Sequence, residues 1–222
     1  MKYTHLHKTM TYTALVPLKS LAIAKSRLAP YLSDHQREIL VLDMLHHVLQ
    51  ALYRSELFER VSVVSSDERV LVQAEEWGAQ ALPEEKDGHN PALEAAALRE
   101  LEAGSTALLT ISADLPLLTV RDIRTLVEQS SQYEVVIAAS REGTGTNAIL
   151  VRPPLALPYL FGPNSLQLHR QAAMQRHLSY TIYSNCGLAL DIDTIDDLHQ
   201  LQDTQCRCSE AEDAKLATQI CE

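Results

Sequence analysis

Short apolar runs alternate with stretches of helical hydrophobic spacing along most of the chain. The run at residues 107–112 is mostly apolar without clean alternation, which is typical of a strand buried on both faces of a parallel sheet. Further strands are predicted at residues 12–17, 61–64, 79–82, 135–139 and 148–151, and near Tyr180. Helices are predicted at residues 34–53, 91–102, 165–177 and 196–201. Another helix is predicted between the polar turn at 65–67 and residue 77, and a further one begins at residue 120. This order predicts an α/β fold with a mostly parallel central sheet flanked by helices.

Capping residues mark the start of two predicted helices. Ser33 and Gln36 have the spacing of a capping box at the start of the longest helical pattern. Thr119 stands directly before a pattern that places Ile123 and Leu126 on one helical face. We therefore expect both helices to begin at these residues.

Length and composition indicate one soluble domain. The chain has 222 residues, of which 46% are hydrophobic and 22% are charged, as in ordinary globular proteins. We expect one domain over residues 12–203, with tails at 1–11 and 204–222. No apolar run approaches the roughly 20 residues of a membrane span, and the first dozen residues contain no apolar signal core. A cytoplasmic protein without a membrane partner is expected.

Charge is unevenly distributed along the chain. The formal net charge of −10 argues against a nucleic-acid or membrane-surface partner. Up to Ser33 there are five Lys or Arg residues and no carboxylate, whereas residues 191–222 contain nine carboxylates and two basic residues. A basic N-terminal loop that faces an acidic C-terminal segment would suit a nucleotide phosphate chain and a metal ion.

The four cysteines do not form a recognisable metal-binding pattern. Cys206 and Cys208 make one C-x-C pair, and no second pair with zinc-ligand spacing accompanies it. Cys186 and Cys221 stand apart from this pair. Reduced thiols are the simplest interpretation for a cytoplasmic protein.

Asp114 follows the buried strand at residues 107–112, and Pro116 prevents that strand from continuing. In open α/β sheets, ligands bind at the carboxyl ends of the strands. Asp114 is therefore a candidate ligand-binding carboxylate at this edge of the sheet. An ordinary turn aspartate is the alternative that this stretch alone leaves open.

A basic loop follows the first predicted strand. Lys19, Lys25 and Arg27 lie within nine residues, with small residues between them. Cations on a strand-to-helix loop are well placed to bind triphosphate oxygens. The loop lacks a glycine-rich cradle, so it is neither a P-loop nor a dinucleotide fingerprint. A solvated basic loop remains the alternative.

Two further carboxylates lie near the end of the predicted domain. Asp191 and Asp193 are separated by one residue, so in an extended segment their side chains point the same way. Together with Asp114 they would supply the hard oxygen ligands that Mg²⁺ requires. Asp193 could instead cap the final helix, and for this reason Asp191 is the more dedicated candidate ligand.

Two other features are typical of anion binding. The turn Gly143-Thr-Gly-Thr146 could form a nest of backbone N–H groups, although such turns are common between strands. Ser165 lies near the start of a predicted helix, where free backbone donors and the positive end of the helix dipole attract anions.

Five ordered motifs together resemble one protein family, the guanylyltransferases of coenzyme F-420 biosynthesis, known as 2-phospho-L-lactate or phosphoenolpyruvate guanylyltransferases. The motifs are Ala14-Leu-Val-Pro-Leu-Lys19 with Ala24-Lys-Ser-Arg-Leu28, Ala113-Asp-Leu-Pro116, Gly143-Thr-Gly-Thr-Asn147, Phe161-Gly-Pro-Asn-Ser165 and Leu190-Asp-Ile-Asp-Thr194. The resemblance covers residues 12–201 and implies the nucleotide-diphospho-sugar transferase-like fold, which the molybdenum-cofactor guanylyltransferases share.

The resemblance also assigns expected roles to residues of the basic loop and the acidic positions. The three carboxylates Asp114, Asp191 and Asp193 match the acidic metal-binding positions of the family, with Mg²⁺ as the implied cofactor. The cations Lys19, Lys25 and Arg27 match the basic loop near the GTP phosphates, and with Asp114 they form the expected catalytic set. Asn90 lies in a loop that we expect to border the base or ribose of the nucleotide.

The expected acid-binding residues are Thr146, Gly162 and Ser165, which match family positions that hold the acid substrate. This chain departs from the family pattern nearby, because Asn164 replaces a frequent Asp and so removes one charge near that site. Ala113 replaces a usual Gly before the first metal-binding carboxylate.

The implied reaction transfers GMP from GTP to the phosphate of a phosphorylated three-carbon acid and releases pyrophosphate. An ionised phosphate needs no general base, so the main obstacle is repulsion between anions, which metal ions and fixed cations reduce. Phosphoenolpyruvate is the favoured acid, with 2-phospho-L-lactate and 3-phosphoglycerate as alternatives. Another nucleotidyltransferase of the same fold, or a non-catalytic nucleotide-binding regulatory protein, remains open, and a homodimer is possible.

Overall fold

The structure is a computed structural model that describes residues 10–203. Its strands are β1 (Tyr12–Pro17), β2 (Arg60–Ser65), β3 (Gln80–Pro83), β4 (Ala107–Ile111), β5 (Val135–Ala139), β6 (Thr146–Val151) and β7 (Tyr180–Tyr183). Its helices are α1 (Asp34–Ser55), α2 (Glu68–Glu76), α3 (His89–Glu102), α4 (Val120–Gln129), α5 (Ser165–Gln175), α6 (Cys186–Ala189) and α7 (residues 195–203). Two short 3₁₀ turns, Leu21–Ile23 and Ser26–Leu28, shape the loop between β1 and α1.

The seven strands form one sheet in the order β3-β2-β1-β4-β6-β5-β7. The strand β6 runs antiparallel to both of its neighbours, and the other strand pairs are parallel. The predicted α/β fold with a mostly parallel sheet is therefore confirmed. Because β6 is reversed, its first residues lie at the same edge of the sheet as the last residues of β1 and β4.

Apolar side chains cover both faces of the sheet. On one face, α1, α2, α4 and α6 pack over side chains of the central strands, including Val16 and Leu109. On the other face, α3 packs over Leu15 and Leu108, and α5 packs over β5 and β6 near Ile137. Burial on both faces explains why these strands are nearly continuous apolar runs rather than alternating ones.

The predicted capping residues begin α1 and α4. Ser33 and Gln36 form a reciprocal capping box at α1, and Thr119 forms one with Asp122 at α4. At α7, the Asp197 carboxylate accepts hydrogen bonds from the N–H and the hydroxyl of Thr194. These pairs satisfy backbone donors that a helix N-terminus leaves without intrahelical partners.

Several element boundaries differ from the prediction by one or two residues. Helix α3 begins at His89 rather than residue 91, because Pro91 is accommodated within its first turn. Strand β6 begins at Thr146 rather than residue 148. Thr11, predicted to be part of a tail, already accepts main-chain hydrogen bonds from Thr106 and Ala107.

No helix among residues 10–203 is both long enough and apolar enough to cross a bilayer. Cys186 is exposed and has no disulfide partner in the part of the chain that the structure describes. The predicted C-x-C pair, Cys221 and nearly all of both predicted tails lie outside the described residues.

Gly187 generates a stability prediction, because α6 packs closely against the start of α4. A β-carbon at this position would lie 2.9 Å from the Leu117 carbonyl oxygen and in closer contact still with the Asp122 carboxylate. We expect Gly187→Ala to lower the free energy of unfolding by about 1–3 kcal/mol, because forced overpacking shifts buried groups. Urea unfolding measures this loss.

The control for this substitution is Cys186→Ala, which changes an exposed neighbour in the same helix and should stay within about 0.5 kcal/mol of the original protein. An unchanged unfolding midpoint for Gly187→Ala would contradict the tight packing between α6 and α4.

Candidate active site

The candidate site lies where β1, β4 and the start of β6 meet at one edge of the sheet. Asp114 follows β4, and the loop with Lys25 follows β1. The Ser112 N–H donates a 2.8 Å hydrogen bond to the Asn147 carbonyl oxygen, which fixes the start of β6 beside the end of β4. The topology thus brings together residues that are far apart in the sequence.

Asp114, Asp191 and Asp193 form a carboxylate cluster at this edge, as the sequence predicts. One carboxylate oxygen from each residue lies within 4.8 Å of the other two. Ser112 Oγ donates a 2.7 Å hydrogen bond to Asp114 Oδ1, and Asn147 Nδ2 donates a 3.1 Å bond to Asp191 Oδ1. These donors orient two of the carboxylates. The hard oxygen donors of the cluster fit a divalent cation such as Mg²⁺.

Lys25 joins two members of the carboxylate cluster. Its ammonium donates hydrogen bonds to Asp114 Oδ2 and, at 2.8 Å, to Asp193 Oδ1. Only 9% of the Lys25 side chain is exposed. Burial lowers the pKa of Lys25, but the charges of Asp114 and Asp193 outweigh burial, so the pKa is raised above its ordinary value. The lysine is therefore a buried, charged group.

The charge of the cluster also acts on Asp191. Burial raises the pKa of Asp191, and the nearby charge of Asp114 raises it further, while the hydrogen bond from Asn147 opposes both effects. A carboxylate in this environment is stabilised by any cation that binds beside it.

The alternative role of Asp193 as a helix cap is not what the structure shows. Asp197 Oδ2 accepts hydrogen bonds from the main-chain N–H groups of Asp193 and Thr194, at 3.1 and 2.8 Å. The Asp193 carboxylate instead faces Lys25, with Arg27 Nη1 3.9 Å from its Oδ2. Capping is done by Asp197 and Thr194, which leaves the Asp193 side chain at the carboxylate cluster.

Two cavities meet at the carboxylate cluster. The first, of about 320 Å³, is lined by Lys19, Lys25, Asp114, Asp193 and apolar residues that include Ile23, Val41 and Met44. The second, of about 570 Å³, is lined by polar groups that include Arg27, Arg141, Gly162, Ser165, Asp191 and Asp193. Four residues line both cavities, namely Thr146, Asn147, Phe161 and Asp193. Groups bound in the two cavities would therefore meet beside the carboxylates.

All three predicted acid-binding residues line the second cavity. Ser165 begins α5, and its N–H donates a 3.1 Å hydrogen bond to the Gly162 carbonyl oxygen. Gly162 has a φ of +126°, which favours glycine because a side chain would be strained there. Thr146 faces this segment from the start of β6.

The turn at residues 143–146 does not form the predicted nest of free N–H groups. The Gly143 N–H donates to the Ser140 carbonyl oxygen at 2.9 Å, and the Gly145 N–H donates to Ser140 Oγ at 2.9 Å. The turn uses these two donors internally, so they are not available to an anion.

Asn90 does not line either of these two cavities, and its place beside the base or ribose of a nucleotide stays a prediction. Its Oδ1 accepts a 2.9 Å hydrogen bond from the Phe161 N–H, and its Nδ2 donates a 3.0 Å bond to the Phe161 carbonyl oxygen. The side-chain amide is thus engaged with the main chain of the segment that precedes Gly162. The neighbouring His89 lines the first cavity instead.

Sequence reasoning missed the residues that fix the basic loop. Asp67 Oδ2 accepts hydrogen bonds from the Leu21 N–H at 3.0 Å and from Ser20 Oγ at 3.1 Å. Arg37 Nη1 donates a 2.9 Å bond to the Ala24 carbonyl oxygen, directly before Lys25. The sequence signal for Asp67 indicates only a helix cap, a role that it also performs at α2.

Comparison with known proteins identifies related sequences. The family model described as "Guanylyl transferase CofC like" matches residues 12–203. A phosphoenolpyruvate guanylyltransferase of Rubrobacter xylanophilus is 42% identical, over 87% of this chain and 94% of its own. A 2-phospho-L-lactate guanylyltransferase of Methanothermobacter thermautotrophicus is 37% identical, over 86% and 84%. A 3-phospho-D-glycerate guanylyltransferase of Colwellia psychrerythraea is 33% identical, over 86% and 91%.

Solved structures share the fold at low sequence identity. A crystal structure described as a nucleotide-diphospho-sugar transferase, from Desulfovibrio desulfuricans, aligns with a TM-score of 0.74 and 16% identity, over 86% of this chain and 87% of that one. A CMP:2-keto-3-deoxy-manno-octonic acid synthetase in complex with CTP aligns with a TM-score of 0.62 and 13% identity, over 89% and 99%. These likenesses confirm the predicted nucleotide-diphospho-sugar transferase-like fold.

The anchoring of the basic loop by Asp67 generates a prediction about pH. Hydrogen bonds from Arg69, Leu21 and Ser20 lower the pKa of Asp67 from 3.8 to about 2, against the opposing effect of burial. Because the folded pKa is depressed, the ionised carboxylate stabilises the fold above about pH 4, and this stabilisation is lost as the pH falls toward 2. We expect Asp67→Asn to reduce stability most at pH 5–7, with the difference shrinking below pH 4.

Urea unfolding of both proteins at pH 7, 5, 4 and 3 measures this difference. Asp43→Asn, which changes an exposed carboxylate on α1, is the control and should show no such dependence. A stability difference that stayed constant down to pH 3 would contradict the role of the Asp67 charge.

Proposed function

This chain belongs to the family described as Guanylyl transferase CofC like, and from this membership we propose that it transfers GMP from GTP to the phosphate of a phosphorylated three-carbon acid, with release of pyrophosphate. The chain is a nucleotidyltransferase. One observation supports the full reaction above all others. The carboxylate cluster lies where two cavities meet, so a nucleotide and an acid could react beside it.

Phosphoenolpyruvate is the acid that we favour. The relatives of 42% and 40% identity are both named phosphoenolpyruvate guanylyltransferase, whereas those named for 2-phospho-L-lactate and 3-phospho-D-glycerate are 37% and 33% identical. All three acids carry a carboxylate and a phosphate on a three-carbon frame. We further propose that the product enters coenzyme F-420 biosynthesis, the pathway that the sequence resemblance implies.

We assign the first cavity to the nucleotide. Lys19 and Lys25 line it, and their cations would contact the triphosphate. Arg27, which lines the second cavity and is largely exposed beside Asp193, would contact the phosphates from that side. The three predicted carboxylates of the cluster would hold Mg²⁺, which when bound supplies positive charge to the reacting phosphate groups.

We assign the second cavity to the acid. Thr146, Gly162 and Ser165 line it, and α5 begins there, so the positive end of its helix dipole lies at this cavity. Asn90 remains our candidate for the border of the base or ribose, and its amide also bonds to both main-chain polar groups of Phe161, which fixes the segment that leads to Gly162.

The chemistry requires positioning and charge compensation rather than proton removal. The acid phosphate is ionised at neutral pH, and one of its oxygens attacks the α-phosphorus of GTP. The bond from that phosphorus to the β-phosphate oxygen breaks, and pyrophosphate leaves. Both reactants are polyanions, so fixed cations such as Lys25 lower the barrier by offsetting their repulsion.

Pyrophosphate release from GTP and Mg²⁺ tests the proposal, with each of the three acids supplied separately. ATP and CTP serve as nucleotide controls, and CTP matters because the fold is shared with a synthetase solved in complex with CTP. We expect release that depends on GTP and is fastest with phosphoenolpyruvate. If no combination of nucleotide and acid releases pyrophosphate, the chain would be a binding protein. Release with CTP or ATP but not with GTP would reassign the nucleotide.

Removal of one metal-binding carboxylate should abolish turnover. We expect Asp114→Asn to reduce pyrophosphate release by at least about a hundredfold, because the variant loses a cation ligand and the main partner of Lys25. Mg²⁺ titration of both proteins should show weaker binding in the variant. Asp43→Asn is the matched control on the exposed face of α1, and near-normal activity of Asp114→Asn would refute the metal assignment.

Ser165→Ala separates the two substrate sites. Ser165 is buried at the start of α5 and lines only the second cavity of the two described above. We expect the KM for the acid to rise roughly tenfold, the loss of one hydrogen bond to a charged group, while the KM for GTP stays within about twofold. Steady-state kinetics with each substrate varied gives both constants. A rise in the KM for GTP alone would place the acid elsewhere.

A further inference from the structure

His169 is a fully buried histidine that contacts two walls of the second cavity. It lies on α5 and has no exposed surface. Its Nε2 is 3.0 Å from the main-chain nitrogen of Leu160, and its Nδ1 is 3.1 Å from Thr146 Oγ1. The ring also packs edge-on against Phe161, with the ring centres 5.2 Å apart. No role in the reaction proposed above has been assigned to it.

The contact with Leu160 determines the protonation state of the ring. A main-chain N–H can only donate, so Nε2 must accept and therefore carries no proton. A neutral imidazole then has its proton on Nδ1. Burial lowers the pKa of His169 to about 4, against a smaller opposing effect of the Ser165 carbonyl group, so the ring is neutral near pH 7.

The tautomer in turn determines what the Thr146 hydroxyl can do. The Nδ1–H donates to Thr146 Oγ1, so the hydroxyl oxygen is the acceptor in this contact. Within residues 10–203, Thr146 Oγ1 has no other hydrogen-bond partner. Its own hydrogen is therefore available to a ligand, and Thr146 lines both cavities.

We propose that His169 is a positioning residue that fixes the Thr146 hydroxyl as a hydrogen-bond donor to the anionic acid substrate. A free hydroxyl can either donate or accept, and its rotation must be restricted when a ligand binds. When the Nδ1–H donates to the hydroxyl oxygen, the hydroxyl is left to donate its own hydrogen to the ligand. An anion only accepts hydrogen bonds, so it matches this donor. The proposal rests on the proposed function, since it takes the acid as the occupant of the second cavity.

The same imidazole fixes the opposite wall of the cavity. Its bond to the Leu160 N–H lies next to the two bonds between Asn90 and Phe161. The segment that leads to Gly162 is thus hydrogen-bonded at successive residues by side chains from α5 and α3. His169 alone among these side chains links that segment to Thr146, so it sets the spacing between the walls.

The first experiment determines the tautomer directly and needs no substrate. In ¹⁵N-histidine-labelled protein, long-range ¹H–¹⁵N spectra distinguish Nδ1–H from Nε2–H, and the His169 signals are those missing from the spectrum of His169→Gln. We expect the Nδ1–H form, unchanged between pH 5.5 and 8. An Nε2–H form, or an ordinary titration near pH 6.5, would overturn the proposal.

The second experiment uses variants that keep one ring function each. An Asn side chain can present a donor near the position of Nδ1, and a Gln side chain can present an acceptor near that of Nε2. We expect His169→Gln to raise the KM for the acid about tenfold, with the KM for GTP within about twofold. His169→Asn should raise the KM for the acid less, because it keeps the donor to Thr146. An equal rise in both KM values would indicate a merely structural role.

A double-mutant cycle tests whether His169 acts through Thr146. Thr146→Val removes the hydroxyl, and we expect the double variant with His169→Gln to have the same KM for the acid as Thr146→Val alone. If the rise in the KM for the acid in the double variant equals the product of the rises in the two single variants, the proposal is overturned. Ser55→Ala, which removes a buried hydrogen bond at the end of α1, is the control for lost stability and should leave both KM values unchanged.

Failure of the proposed function would be recognised separately. If the unaltered protein released no pyrophosphate with any of the acids, the proposed reaction would fail whatever the tautomer of His169. If it turned over normally but His169→Gln left the KM for the acid unchanged, only the positioning role would fail.

Discussion

The structure depends on one electrostatic constraint, the concentration of carboxylates at one edge of the sheet. Asp114, Asp191 and Asp193 approach within 4.8 Å, and like charges at that separation repel unless a cation compensates them. Lys25 supplies that compensation from a nearly buried position, with its ammonium between Asp114 and Asp193. The basic loop that carries Lys25 must therefore be held in place. Asp67 accepts a hydrogen bond from the main chain of this loop, and Arg37 donates one to it.

The reversed strand β6 brings two further residues, Thr146 and Asn147, to the site. In a fully parallel sheet, only strand ends and the loops after them reach the carboxyl edge. Because β6 is antiparallel to β4, its first residues reach that edge too, and Thr146 and Asn147 lie beside the segment that carries Asp114. Asn147 then donates to Asp191 as well, so one strand start contributes to both the cavities and the carboxylate cluster.

The sequence predicts those parts of the molecule whose signal is local. Buried parallel strands are continuous apolar runs, and capping boxes have fixed spacing, so β1, β5 and the starts of α1 and α4 agree with the prediction to the residue. The carboxylates are also predictable, because Asp114 follows a buried strand and Asp191 and Asp193 match acidic positions of the family that the chain resembles. Polar residues that act through tertiary contacts carry no such signal. The sequence predicts Asn90 beside the nucleotide but carries no sign that its amide bonds to the main chain of Phe161, 71 positions away. His169 carries no such signal either, because a histidine within a helical pattern looks like any core residue.

The division of the site into two cavities bears on how members of the family could differ in the acid that they use. Relatives named for three different acids each align with 86–87% of this chain. Under the proposed reaction, the reacting phosphate and a bound cation make the same demands whichever acid is used, so we expect Thr146, Asn147 and Asp193, which line both cavities, to vary little. Under the same proposal, we expect discrimination between acids that differ by a hydroxyl or a double bond to come from groups that line the second cavity alone. A buried polar group left unpaired by the wrong acid costs far more than a lost apolar contact. Arg141, whose guanidinium is directed by Asp197, belongs to that outer set.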